Sequence, residues 1–132
     1  MGQNNLEERL INFAVSIISI AEKIKKSYAG NDLSTQLIRS STSSAQNYAE
    51  AQSSESRKDF LHKIKIVLKE LRETRVSLII VQKTELYPDD DNIKSAIKES
   101  NELIAIFVTS TVTARKNMEH ENKLRIPAKK QT

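Results

Sequence analysis

Apolar residues Leu6, Leu10, Phe13, Ile17, Ile20, Ile24 and Tyr28 follow one another at steps of three and four, the spacing that aligns side chains along one side of a helix. The pattern predicts a first helix running to about residue 28. The run Ala29-Gly-Asn-Asp32 then reads as a tight turn, with Gly30 as a left-handed stop and Asn31 or Asp32 as the next cap. From Leu33 the positions Leu33, Leu37, Ser40, Ser44, Tyr48 and Ala51 again share one helical face, but its middle is built of small residues. A stripe of Ser and Ala lets neighbouring helices approach closely, which makes SSTSSAQNYAEA an inner helix. The same serines lower helix propensity, and a polar linker is the competing reading of this stretch.

Ser53-Ser-Glu-Ser56 offers caps for a third helix with the stripe Phe60, Ile64, Val67, Leu71, Thr74, Leu78 and Val81. Pro88 ends it, and Asp89, Asp90 and Asp91 supply a cap and negative charge for a fourth. That helix carries Ile93, Ile97, Ser100, Ile104, Phe107, Val108, Thr111 and Met118 inward. The expected fold is all-α, an antiparallel up-down-up-down four-helix bundle over residues 1–121, followed by a basic, frayed tail at 122–132.

A second apolar set lies off these stripes: Ile11, Val15 and Ile18 on the first helix and Leu61, Leu68 and Ile79 on the third. Apolar surface on this scale marks a contact between copies of the chain; a wide core face on central helices is the alternative. Composition narrows the rest. With 2 Gly and 2 Pro in 132 residues, long uninterrupted helices are natural, and with no Cys there is neither a disulfide framework nor a thiolate site. The longest apolar run, Leu103–Val108, is too short to cross a bilayer, and MGQNNLEERL has neither a basic leader nor a myristoylation signal. A soluble, cytoplasmic protein without membrane contact is expected.

Within QLIRSSTSSAQNYAEAQSSESRKDFLHKIKIVLKELRET, the residues Gln36, Leu37, Arg39, Ser40, Ser43, Asn47, Ala49, Glu50, Asp59, Phe60, Leu71 and Glu73 fall at a distinctive spacing. This stretch resembles the signature of the 23S rRNA intervening sequence proteins. The match spans the second and third helices. It departs at Ser44 and Tyr48, where the family usually has aliphatic residues, so local packing there is expected to differ. The resemblance implies a four-helix bundle assembled into a ring, typically of five subunits, with no established enzymatic activity. It does not by itself imply binding to ribosomal RNA, since the family is named for reading frames inside insertions in 23S rRNA genes. The family is also similar to the accessory protein of diversity-generating retroelements, which binds a reverse transcriptase and nucleic acid through basic surface.

Charge sharpens this. The chain carries a formal +4, and Lys58, His62, Lys65, Lys69 and Arg72 step by four, three, four and three along one side of the third helix, away from its core stripe. An anionic polymer, RNA or DNA, or an enzyme that acts on nucleic acid, is the partner class this suggests; a merely solvated face is the alternative. No aromatic interleaves the stripe, so bases are not read by stacking. Catalysis is not expected: there are only two histidines, His62 and His120, the Asp59–His62 pair has no second copy, and no Gly-rich phosphate loop exists. No cofactor or metal is expected. Arg39, Asn47 and Glu50 read as structural polar residues that fix helix register, with Arg39 pairing with Glu70 or Glu73 across the second and third helices. A purely structural oligomer or protein-interaction scaffold is the competing function.

Overall fold

The computed structural model describes the backbone of residues 2–131 and the side chains of residues 5–124. Four helices follow one another: α1 (Gly2–Glu22), α2 (Tyr28–Gln52), α3 (Arg57–Thr84) and α4 (Asp90–Gln131). Each packs against its chain neighbour, most extensively α2 on α3, and α4 closes back on α1 along a much thinner seam. Among the described residues the backbones of the diagonal pairs stay apart, with only side chains meeting across the core, so this is an antiparallel four-helix bundle in up-down-up-down order.

The first turn lies earlier than the sequence suggests. α1 stops at Glu22, and the connection is residues 23–27, not Ala29–Asp32. Ser27 is the N-cap of α2, its hydroxyl accepting from the Gly30 N–H at 3.0 Å. Gly30 is therefore inside α2 and has no positive φ. Its role is close approach: a Cβ there would stand 2.0 Å from the Lys25 carbonyl oxygen. The Lys25 N–H donates to the Leu86 carbonyl at 2.8 Å, which ties this turn to the α3–α4 turn at the same end of the bundle. Tyr28, placed on the core stripe by spacing alone, is 96% exposed because it opens α2 instead of closing α1.

α2 is a helix throughout, and Leu33, Leu37, Ser40, Ser44, Tyr48 and Ala51 are all buried along it. The linker reading fails because every buried serine finds a partner. Ser40 Oγ lies 2.7 Å from Thr74 Oγ1 across the α2–α3 seam, and Ser44 donates to the Ser41 carbonyl at 2.7 Å. Tyr48, one of the two departures from the family pattern, meets Phe107 edge to face at 5.5 Å.

The remaining boundaries fall where the capping residues put them. Ser56 caps α3 through the Asp59 N–H, and Glu85 ends it in the left-handed conformation, φ 56°. Asp89 accepts from the Asn92 N–H at the start of α4. The α3 core stripe is buried except for half-buried Phe60. On α4 the inward line is Ile93, Ala96, Ser100, Leu103, Phe107, Thr111 and Ala114; Val108 falls beside it and is exposed, contrary to expectation. The expected tail at 122–132 falls mostly on residues whose side chains lie outside those described.

Candidate polyanion-binding face

All five residues of the predicted stripe, Lys58, His62, Lys65, Lys69 and Arg72, are exposed on the side of α3 turned away from the core. Fourteen residues of helix separate the first from the last, about 21 Å at 1.5 Å per residue. The stripe is not one site, however. Lys65, Lys69 and Arg72 line a groove of about 680 Å³ together with Arg39 from α2 and Arg115 from α4. His62 lines a separate, shallower depression with Glu50, Asp59 and Lys63. Lys58 lines neither groove.

The cationic groove thus draws on three helices, where the sequence pattern shows one. Arg115 follows Thr111 by one turn of α4, and Thr111 lies inward as its spacing predicts, so the signal is present in the sequence but points nowhere without the α3–α4 register. Arg39 departs from its expected ion pair. It is exposed and forms no ion pair with Glu70 or Glu73 among the described residues. Its charge still reaches Glu73 weakly. Asn47 also departs from its expected role, because its amide donates to the Ser43 carbonyl and hydroxyl within α2 and fixes no inter-helix register. Glu50 does link the helices, accepting from Lys63 Nζ at 2.7 Å.

One exposed carboxylate, Glu73, lines the same groove. Hydrogen bonding to buried Glu70 raises its pKa above the usual carboxylate value, with desolvation and the Glu70 charge adding, while Lys69 and Arg39 act the other way. The groove continues past Arg72 to Val76 and Ile80, exposed by 51% and 42%. These two, not Leu61, Leu68 and Ile79, are the apolar residues that α3 presents outward. Leu61 and Leu68 are each only 8% exposed and Ile79 is half-buried, because α3 is packed by α2 on one side and α4 on the other and its core face is wide. On α1, Ile11 and Val15 are exposed as expected, while Ile18 is half-buried.

Among the described residues no cluster of His, Asp and Glu is placed to hold a metal ion, and no helix is long and apolar enough to cross a membrane. Comparison with known proteins places the geometry. The family model of the 23S rRNA-intervening sequence proteins matches residues 3–109, which takes in α1 to α3 and the first half of α4. The chain belongs to that family. This 23S rRNA-intervening sequence protein is also similar to a crystal structure from Bacteroides thetaiotaomicron, described as a protein of unknown function from the S23 ribosomal protein family. The two share 29% identity and a TM-score of 0.72, over 80% of this chain and 97% of the other. No curated protein matches the sequence significantly.

Proposed function

We propose that this chain is a non-enzymatic, self-assembling bundle that binds nucleic acid, or the nucleic-acid surface of an enzyme complex, through the groove between Arg39, Lys65, Lys69, Arg72 and Arg115. The observation that supports this reading is the convergence of five cations from three helices around one exposed carboxylate. Among the described residues no aromatic lines the groove, so contact is with phosphates, and binding is insensitive to sequence. Replacing Lys65, Lys69 and Arg72 together by Gln should weaken binding to unrelated RNA and DNA duplexes about equally. It should also lower the log–log salt slope by roughly 0.9 for each duplex phosphate that is no longer neutralised. Unchanged affinity and slope in a folded variant would remove the proposal.

Self-assembly follows from a second pair of features. Ile11 and Val15 form an exposed apolar pair on α1, and Val76 and Ile80 form one at the same spacing on α3. α1 and α3 run in the same direction at diagonal corners, so α1 of one copy lying parallel on α3 of the next pairs these apolar residues. Such a head-to-tail contact closes into a ring if the rotation allows, and the number five rests on resemblance to the family. Ile11→Glu with Val15→Glu should dissociate the assembly while helical content persists, as read by native mass and circular dichroism. A protein-interaction scaffold is the second reading, favoured by Val76 and Ile80 within the groove. It gains if the assembled protein shows no salt-sensitive nucleic-acid binding.

A further inference from the structure

Among the described residues, three apolar pairs stand exposed at a spacing of one helical turn: Ile11 with Val15 on α1, Val76 with Ile80 on α3, and Val108 with Val112 on α4. The assembly contact proposed above uses the first two. Tyr28 and Leu124 are the other large apolar side chains exposed among the described residues, and each stands alone. No further pair is left in the described chain to cover Val108 and Val112, which are 38% and 44% exposed.

Two contacts between α3 and α4 fix where this third pair lies. Arg75 donates to Asn101 at 2.6 Å and Arg57 to Glu121 at 2.7 Å, which sets the antiparallel register of the two helices. Between those levels, Val108 comes level with Leu68 and Lys69, and Val112 with Lys65. Thr111 and Arg115, their neighbours at helical spacing, line the cationic groove. The pair is therefore the α4 lip of that groove, with Lys65, Lys69 and Arg72 across from it. Half-buried Ile104 extends the lip to a row of three at intervals of four residues. Such rows are the ridges by which one helix packs into the grooves of another, and from Ile104 to Arg115 the lip runs about 17 Å, or about three turns.

Charge gives the occupant's chemistry. The ion pairs among the described residues engage Arg9, Arg57, Lys63 and Lys94. Lys65, Lys69, Arg72 and Arg115 belong to none of them, and Glu73 offsets them only in part. A nucleic-acid backbone answers these cations but leaves the apolar row in water. A helix with an apolar stripe and carboxylates along one edge answers both. We propose that the α3–α4 lip docks an amphipathic helix of a partner protein, its apolar stripe on Ile104, Val108 and Val112 and its acidic edge over Lys65, Lys69 and Arg72, and that this helix and nucleic acid exclude one another. The docking rests on the assembly contact that occupies the other two pairs; the exclusion rests on the nucleic-acid reading as well.

The test uses the full chain and a displayed library of helical peptides of about four turns, in which apolar and acidic positions vary independently. Selected peptides should carry an apolar stripe with Asp or Glu along one edge, and should shift the backbone amide resonances of Lys65, Val108 and Val112. Val108→Ser with Val112→Ser should weaken them at least about tenfold while leaving duplex affinity and native mass unchanged, since both positions are exposed and Ser matches Val in helix propensity. The Lys65→Gln, Lys69→Gln, Arg72→Gln variant should weaken peptide and duplex alike, and saturating peptide should displace a bound RNA duplex. The docking is overturned if no binder is recovered, if binders lack acids, or if they ignore the valine pair. It is overturned equally if the double Ser variant loses duplex affinity, because the pair then serves nucleic acid, or changes native mass, because a second copy then covers it. Peptide and duplex bound together would overturn the exclusion alone. A chain that binds peptide but no duplex would remove the nucleic-acid reading and the exclusion while the docking stands.

Discussion

The α2–α3 and α1–α4 seams close the same bundle by different physics. Between α2 and α3, Ser40 and Thr74 meet at 2.7 Å in a fully buried contact, with Leu37, Val67, Leu71 and Leu78 at 0% exposure around it. Between α1 and α4 the main polar link is on the surface, where Arg9 grips Glu99 through two hydrogen bonds of 2.8 and 2.7 Å and reaches Glu102 at 2.9 Å. The first seam depends on shape, since small residues let the helix axes approach. The second depends on charge at about one-third exposure, where solvent screens most of the gain. The molecule is therefore tightly packed along α2–α3, which carries the cationic groove, and more weakly held where α1 must stay seated.

The largest effect expected from breaking this contrast is at Ser40. Ser40→Leu adds a net two heavy atoms at a buried position against Thr74 and should cost about 1–3 kcal/mol for overpacking. Loss of the hydrogen bond to Thr74 adds about 1 kcal/mol. Ser40→Ala should cost only that second part, since it removes the bond and adds no volume. Urea denaturation of the two variants decides the matter: equal midpoints would mean that the seam is not closely packed.

The same contrast explains what could be read from the sequence. The serine stripe of α2 was legible because its spacing is helical whatever the side-chain chemistry, and the cap at Ser56 is a local signal that holds locally, whereas α3 ends at Thr84, a turn before Pro88, with Glu85 in the left-handed conformation. The first turn was misplaced because Gly30, Asn31 and Asp32 carry strong turn signals, whereas Gly30 serves packing against the Lys25 carbonyl and Ser27 does the capping. Periodicity also cannot say how wide a core face is. Leu61 and Leu68 lie beside the α3 stripe and are buried by α4, while Val76 and Ile80 go outward. The cationic groove was only partly legible for a related reason: Arg39 and Arg115 join it through the registers of two helix pairs, which no single-helix pattern contains.

A smaller effect is expected at the other seam. Arg9→Ala should cost about 0.5–1 kcal/mol, the upper end for an exposed pair because the grip is bidentate and shared. Its signature is local. Amide hydrogen exchange should quicken along α1 and stay unchanged in the α2–α3 hairpin, and a double-mutant cycle with Glu99→Gln should show coupling. Uniform acceleration over all four helices would mean that the two seams unfold as one unit and that the contrast has no thermodynamic content.

The smallest effect ties the rigid seam to the groove it carries. Because Glu70 raises the Glu73 pKa, the folded chain holds that proton to higher pH than the unfolded chain does. The stabilisation is fully present below the ordinary carboxylate value of about 4.3 and is lost as pH rises through the higher folded value. Glu73→Gln stays neutral throughout, so it should match wild type in acid and be slightly more stable at neutral pH. Melting temperatures across this range should converge as pH falls, and a constant offset would show that Glu70 and Glu73 do not share a proton. The same titration acts on ligand affinity, because protonating Glu73 removes the one exposed negative charge lining the cationic groove. Duplex binding at fixed ionic strength should therefore tighten as pH falls in wild type and tighten less in Glu73→Gln, while an identical pH profile in both would detach Glu73 from the groove's electrostatics.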